Sequence, residues 1–313
     1  MIPVENAHLR VAAATDPGMK GKNNEDQYSV SAFKIPGSPP KSVLFAIVAD
    51  GIGGHRAGEV AADIAVEIIS DKVAFSDGGQ PLETMQTAIL QASQAIQTQG
   101  NQAADQIGMG TTVVCVWIED NRLYAAHVGN SRLYLLRAKK LYQLNIDHTW
   151  VKEAVDAGAL TPEQARTHPH ANIIRRYLGS PTPPDVDTRI RTDRNPMYSE
   201  ANQGFRLRPG DRLLLCSDGL NDMVADQRIA EELKAEDLHE SAAELIRAAN
   251  MRGGKDNITV ILLEAPRNTG LRGYWDMLAE IPPQLAFAYA GLAMMGLAVV
   301  YALALLLAQL MAN

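Results

Sequence analysis

Short runs of apolar, β-branched residues alternate along the chain with longer amphipathic segments. The runs predict strands and the amphipathic segments predict helices. Two polar breaks, at 119–121 and 129–131, separate three successive strands, as is typical of an antiparallel meander. The pattern indicates an α+β or layered α/β class with mostly antiparallel sheets. The predicted strands are 43–49, 111–118, 123–128, 133–137, 212–217 and 258–263, and the predicted helices are 57–74, 81–98, 150–157 and 241–252.

The C-terminal segment has a different pattern, because it is apolar on every face. No charged residue occurs in 281–313, and the apolar run 285–308 would span about 36 Å as a helix, against a hydrocarbon core of roughly 30 Å. We therefore predict a globular domain at 1–265, a juxtamembrane linker at 266–284 and a transmembrane helix at 285–311. Arg267 and Arg272 precede the helix and no basic residue follows it, which favours a cytoplasmic domain with a single-pass C-terminal anchor.

Overall charge and cysteine content exclude two other classes of protein. The 29 basic and 36 acidic residues give a net charge of −7, so the chain has no bulk positive field with which to bind nucleic acid. Cys115 and Cys216 both lie in apolar runs and are interpreted as buried strand residues, not as a disulfide or a metal pair. A reducing compartment fits this composition.

Acidic residues recur at the ends of the predicted strands. Asp50 and Asp218 each end a strand and precede a glycine, while Asp256 immediately precedes the last strand. Glu25 and Asp26 open another strand. If these five side chains converge, about five negative charges meet, and they cannot all stay ionised without cations. Oxygen ligands suit Mg²⁺ or Mn²⁺, and two such ions would activate a water for hydrolysis of a phosphoester.

A dinucleotide-binding loop is the competing interpretation of the glycines that follow Asp50. Gly51 and Gly53 come after an apolar strand and before a predicted helix, as in G-x-G-x-x-G. The third glycine of that pattern would fall on Arg56. The pattern fails there, so the glycines are better explained as room for metal and substrate.

Six spaced motifs, in order from about residue 11 to 263, strongly resemble the metal-dependent serine/threonine phosphatases of the protein phosphatase 2C type. The resemblance implies two packed antiparallel sheets flanked by helices on both outer faces, with a binuclear Mn²⁺/Mg²⁺ centre at one end. It also implies hydrolysis of phosphoserine and phosphothreonine in proteins by a water that two metal ions activate. The motifs are Asn24-Glu25-Asp26, Asp50-Gly51-Ile52-Gly53-Gly54-His55, Gly108-Met109-Gly110-Thr111-Thr112, Val128-Gly129-Asn130-Ser131-Arg132, Ser217-Asp218-Gly219-Leu220 and Asp256-Asn257-Ile258-Thr259.

The resemblance also implies roles for individual residues. Asp50 would bridge both metals, and the Gly51 carbonyl would bind one of them directly or through water. Glu25 resembles a ligand of one metal, and Asp218 and Asp256 resemble ligands of the other. By the same resemblance, Asp26 would lie at the metal centre and orient the attacking water, so that Asp26 and Asp50 are the catalytic pair.

The sequence departs from the family at the phosphate-binding end. Gly21 stands where an arginine usually binds the substrate phosphate, so Lys22 becomes the candidate phosphate contact. Asn130 replaces an aspartate, which puts a third metal in doubt. Ile52 stands where many eukaryotic relatives have a histidine proposed as the general acid.

Two functions are compatible with these residues. The first is a membrane-anchored phosphatase that acts on phosphorylated proteins, opposes Ser/Thr protein kinases and contacts lipid through its C-terminal helix. The second is a pseudophosphatase that keeps the fold and metals but only binds phosphoproteins, as the changes at Gly21 and Asn130 would allow. Five clustered carboxylates favour catalysis, because a binding module has little need of them.

Overall fold

The computed structural model describes residues 1–21, 23–53, 57–166 and 168–266. Met1–Pro266 forms one compact unit. The predicted transmembrane helix at 285–311 and all of its predicted linker except Pro266 lie outside the described residues. Within the described ranges, no helix has both the length and the apolar character that crossing a membrane requires.

Twelve strands, numbered in chain order, form two sheets in the described part of the chain. Every pair of neighbouring strands is antiparallel. The strands are β1 Ile2–Pro3, β2 Arg10–Asp16, β3 Asp26–Ile35, β4 Lys41–Ile52, β5 Gly110–Thr111, β6 Val113–Glu119, β7 Arg122–Val128, β8 Arg132–Arg137, β9 Lys140–Gln143, β10 Phe205–Arg206, β11 Arg212–Cys216 and β12 Ile258–Glu264. The first sheet has the order β1-β3-β4-β6-β7-β10, with β5 paired to β4, and the second has the order β2-β12-β11-β8-β9.

Helices cover the outer faces of both sheets. Two long helices pack on the first sheet, and α5 to α7 pack on the second. Two short helices, α3 and α4, lie in the segment between β9 and β10. The helices are α1 Ala57–Ala74, α2 Pro81–Gly100, α3 Trp150–Asp156, α4 Pro162–Arg166, α5 Asp218–Asn221, α6 Asp226–Glu232 and α7 Leu238–Met251, with 3-10 turns at Ala104–Gln106 and Glu200–Asn202.

The apolar core consists of three layers, one between the sheets and one under each set of helices. Strand β4 shows how the sequence produces them, because successive side chains of a strand point to opposite faces. Phe45 and Ile47 pack under α1 and α2, whereas Leu44 and Val48 pack between the sheets. A strand buried on both faces must be apolar throughout, which is why 43–49 contains no polar residue.

The predicted fold of two antiparallel sheets flanked by helices is confirmed, but the predicted meander is wrong in its third strand. β6 and β7 form the expected hairpin, with Glu119 opposite Arg122. β8 instead joins the second sheet, where Arg132 pairs with Cys216 of β11. Gly129 has φ +113°, a backbone conformation that only glycine adopts easily, and at this point the chain crosses from one sheet to the other.

Candidate metal centre

The acidic residues converge at one end of the sandwich, and each sheet contributes a pair. Asp26 and Asp50 are directly opposite each other at the ends of β3 and β4 in the first sheet. Asp218 follows β11 and Asp256 precedes β12, and these neighbouring strands are antiparallel, so both residues lie at the same edge of the second sheet. The convergence predicted from the strand ends is therefore present in the structure.

The carboxyl groups perturb one another strongly. Burial, followed by the charges of Asp218, Asp26 and Asp256, raises the pKa of Asp50 well above its usual range, and its carboxyl hydrogen-bonds that of Asp218. Burial raises the pKa of Asp26 to about 7, although a hydrogen bond from Ser217 opposes the shift. Burial also raises the pKa of Asp218. Four acids this close cannot all ionise without added positive charge.

The chemistry of this donor set fits a hard divalent cation. All of its side-chain donors are carboxylate oxygens, and Mg²⁺ and Mn²⁺ prefer oxygen. Asp50 and Asp218 are partly exposed, so the cluster is open to ions from solvent. Cations would remove the electrostatic cost that raises these pKa values.

Glu25 and Gly51 meet at the side of the cluster formed by the first sheet. The Gly51 amide donates to the Glu25 carbonyl at 3.2 Å. A Cβ atom on Gly51 would lie 2.3 Å from the Gly58 carbonyl oxygen, and one on Gly58 would lie 2.2 Å from Glu25 Oε2. The two glycines therefore bring β4, α1 and the Glu25 carboxylate closer together than any side chain would allow.

A network of neutral polar side chains, to which the sequence analysis gave no role, fixes these acids. Ser217 Oγ donates to Asp26 Oδ2 at 2.7 Å and accepts from the Thr259 amide at 2.9 Å. Asn257 Oδ1 accepts a hydrogen bond from the Glu25 backbone amide at 2.8 Å, and Asn257 Nδ2 donates to the carbonyls of Pro17 and Asn23. Each of these residues adjoins a predicted aspartate in the sequence, which is the only signal that could have identified it.

We expect Ser217→Ala to lower the free energy of unfolding of the metal-free protein by about 1–3 kcal/mol, because it leaves the buried Thr259 amide without its acceptor. Urea denaturation would measure the change. Ser70→Ala is the matched control, since the Ser70 hydroxyl is buried and has no hydrogen-bond partner. Equal effects of the two substitutions would contradict a specific role for Ser217.

Asp222 is a further acid of the site that the sequence analysis missed. It lies one helical turn after Asp218, and its amide donates to the Asp218 carbonyl at 2.9 Å. Burial and then the charge of Asp218 raise its pKa to about 7. Asp222 therefore extends the negative field of the cluster toward α5.

A second group of potential metal ligands, His127, His148 and Asp187, is buried beside the site. Three of its four ring nitrogens are hydrogen-bonded. His148 Nδ1 accepts the Gly129 amide at 3.1 Å, which leaves the proton on Nε2, facing Asp187 Oδ2 at 3.4 Å. His127 Nε2 lies 2.7 Å from the Ile146 carbonyl, so it carries a proton as well. The trio therefore forms a hydrogen-bonded unit that joins β7 to the segment between β9 and β10.

Lys22, the predicted phosphate contact, and two further histidines remain to be located. Lys22 and the 54–56 segment lie outside the described residues. His168 and His170 lie outside helices and strands, and their rings contact Trp150 at centroid distances of 4.9 and 5.2 Å. Among the described residues, neither histidine belongs to a group of three metal ligands.

A four-layer sandwich with an oxygen-rich acidic cluster at one end defines a protein built to hold divalent cations. Comparison with known proteins identifies the family to which the chain belongs. The family described as Protein phosphatase 2C matches residues 19–262. The chain belongs to this family, which confirms the class of metal-dependent phosphatases predicted from the sequence.

Two of the chain's relatives are serine/threonine phosphatases of bacteria. The serine/threonine phosphatase Stp of Listeria monocytogenes is 37% identical over 255 residues, covering 80% of this chain and 93% of the relative. The serine/threonine protein phosphatase PstP of Mycobacterium tuberculosis is 37% identical over 257 residues, but the match covers 82% of this chain and only 45% of that longer protein. The crystal structure of the PstP catalytic domain with two manganese ions superimposes with a TM-score of 0.66 at 36% identity, covering 82% of this chain and 97% of that one.

Proposed function

We propose that this chain is a serine/threonine protein phosphatase that works with two divalent cations, Mn²⁺ or Mg²⁺. The observation that carries the proposal is the convergence of four aspartates from two sheets, where burial and neighbouring charges raise the pKa values of Asp26, Asp50 and Asp218. The two manganese ions of the PstP catalytic domain support it. The proposed ligands are Glu25, Asp26, Asp50, the Gly51 carbonyl, Asp218 and Asp256.

The protein's own residues have distinct tasks in this proposal. When bound, the ions would offset the charge of the substrate phosphate and acidify a water into a nucleophile. Asp50 contacts Asp218 of the other sheet and pairs with Asp26, and we propose that it would be the residue that holds both ions. Asp26, held by Ser217, would orient the attacking water. Asp26 and Asp50 are thus the proposed catalytic residues.

The substrates we propose are phosphoserine and phosphothreonine in proteins, with Ser/Thr protein kinases as the opposing enzymes. The relatives named as serine/threonine phosphatases support this substrate class. Lys22 is the proposed phosphate contact, because its sequence neighbour Gly21 cannot supply a charge. The convergence of Asp26, Asp50, Asp218 and Asp256 supports hydrolysis over binding alone.

Hydrolysis is tested with the full-length chain and a phosphothreonine peptide. We expect phosphate release with Mn²⁺ or Mg²⁺ and none after EDTA, measured as free phosphate. Asp63→Asn, an exposed change on α1, should leave the rate unaltered. Peptide that binds but keeps its phosphate through prolonged incubation with either metal would identify a pseudophosphatase instead.

We also propose that the catalytic domain at 1–265 is cytoplasmic and is tied to the membrane by the helix predicted at 285–311, through the linker predicted at 266–284. The support is the uncharged apolar sequence from 281 onward. The full-length chain should float with phosphatidylcholine vesicles in a density gradient, whereas a chain ending at residue 284 should remain at the bottom. A full-length chain that does not float would refute the anchor.

A further inference from the structure

Asn130 is a buried amide that is only half satisfied. It lies in the crossing between β7 and β8, with 6% of its surface exposed. Its Nδ2 donates to Asp218 Oδ2 at 2.8 Å, while its Oδ1 is buried with no hydrogen-bond partner. A buried acceptor without a partner is unfavourable, because it has lost its hydrogen bonds to water. The amide therefore has a poor environment except at the one contact it makes with Asp218.

The hydrogen bond from Asn130 Nδ2 holds the Asp218 carboxylate in one orientation. Asp218 touches Asp50 with its carboxyl group, so its orientation sets how the two sheets' acids meet. An amide donor fixes a carboxylate without adding charge to a cluster that is already strongly negative. A hydrogen bond to a ligand of this kind typically changes metal affinity by 10–100-fold.

The backbone beside Asn130 is clamped by His148. The Gly129 amide donates to His148 Nδ1 at 3.1 Å, and the His148 amide donates to the Gly129 carbonyl at 2.9 Å. On the other side, Ser131 Oγ lies 2.7 Å from Thr112 Oγ1. Asn130 thus sits between two anchored residues and has little freedom to turn away from Asp218.

His148 is in turn held by the segment between β9 and β10. Its Nε2 faces Asp187 Oδ2, and Arg189 binds the same carboxylate. Asp187 also exchanges both backbone hydrogen bonds with His127, at the end of β7. Hydrogen bonds therefore run without interruption from Asp187 through His148 to the residue that precedes Asn130.

We propose that Asn130 is a positioning residue that fixes Asp218 for cation binding, and that His148 acts through it by clamping Gly129. This inference rests on the cation centre of the proposed function and is independent of whether phosphate is released. Neither residue is a metal ligand in this account. Their effect is on how tightly the centre binds its ions.

Calorimetric titration of the full-length, metal-free chain with Mn²⁺ tests whether Asn130 positions Asp218 for cation binding. We expect Asn130→Ala to raise the Mn²⁺ dissociation constant by about 10–100-fold. Its thermal midpoint in EDTA should stay near that of the wild type, because the substitution also removes the unpaired Oδ1. Asn121→Ala, at an exposed turn, is the control and should change neither quantity. Wild-type affinity in Asn130→Ala would overturn the proposal.

Two substitutions of His148 test the second step. His148→Asn can present Oδ1 to the Gly129 amide in place of Nδ1 and should keep most of the Mn²⁺ affinity, whereas His148→Ala should lose it. If His148 acts through Asn130, then His148→Ala should cause little further loss of Mn²⁺ affinity in a protein that already carries Asn130→Ala. Additive effects, or equal losses in His148→Asn and His148→Ala, would overturn this step. Should His148→Ala fail to fold, His148→Phe, which fills the space of the ring but offers the Gly129 amide no acceptor, takes its place alone and combined with Asn130→Ala.

Phosphate release, measured on the same samples, separates this inference from the proposed function. If the wild type binds Mn²⁺ but releases no phosphate, the proposed function fails and the positioning role stands. If the wild type hydrolyses the peptide and Asn130→Ala binds Mn²⁺ equally well, only the positioning role fails.

Discussion

Asp50→Asn is expected to reduce phosphate release by on the order of 10³-fold or more, the scale of losing one preorganised electrostatic group. Burial, followed by the charges of three other aspartates, raises the pKa of Asp50, so this residue stands at the centre of the cluster. Asparagine keeps the shape but removes the charge on which cation binding depends. Initial rates with a phosphothreonine peptide in saturating Mn²⁺ would measure the loss.

Asp63→Asn supplies the comparison for that experiment, because it removes one acidic charge at an exposed position of α1. Calorimetry should show weaker Mn²⁺ binding in Asp50→Asn and unchanged binding in Asp63→Asn. An Asp50→Asn protein that retains more than a tenth of the wild-type rate would show that the chemistry does not run through this cluster.

Asp26→Asn should stabilise the metal-free protein by an amount that grows as the pH rises from about 4 to about 7. The pKa of Asp26 is raised from 3.8 to about 7 in the folded chain, so across this window the folded state holds a proton that the unfolded state has lost. The wild type therefore loses stability as pH rises, and asparagine, which cannot ionise, does not. At pH 8 the free energy of unfolding of Asp26→Asn should exceed that of the wild type by more than about 1 kcal/mol.

Urea denaturation in EDTA at pH 5 and pH 8 would measure this difference. Burial lowers the pKa of His127 to about 4, which acts in the opposite direction, but His127 is present in both proteins and cancels. Saturating Mn²⁺ should reverse the order and make the wild type the more stable protein, because only the wild type has the full ligand set. A difference between the two proteins that does not vary with pH would contradict the raised pKa.

Six strand segments, the long helices and the acidic residues at strand ends could be predicted because each depends on local sequence, whereas short strands such as β9 and β10 carry too weak a pattern to be recognised. The helix predicted at 57–74 has the bounds of α1, since its apolar period and its length are properties of that segment alone. Asp50 and Asp218 could be identified because each ends an apolar run and precedes a glycine. The motif order then gave the family.

The residues that support those acids could not be predicted, because their partners lie far away in sequence. Ser217 and Asp26 are 191 residues apart, and Asn130 and Asp218 are 88 residues apart. Such contacts depend on which strands pair and where the chain crosses between sheets. The crossing at Gly129 shows the difficulty, since a short polar turn between two apolar runs is typical of a hairpin but here joins different sheets.

The location of manganese in crystals of the full-length chain is the most direct test of the cation centre. Anomalous diffraction at the manganese edge should show two peaks within coordination distance of the carboxylates of Asp50 and its neighbours Asp26, Asp218 and Asp256. A single peak at His127 and Asp187, or no peak near Asp50 in crystals grown with saturating Mn²⁺, would contradict the account.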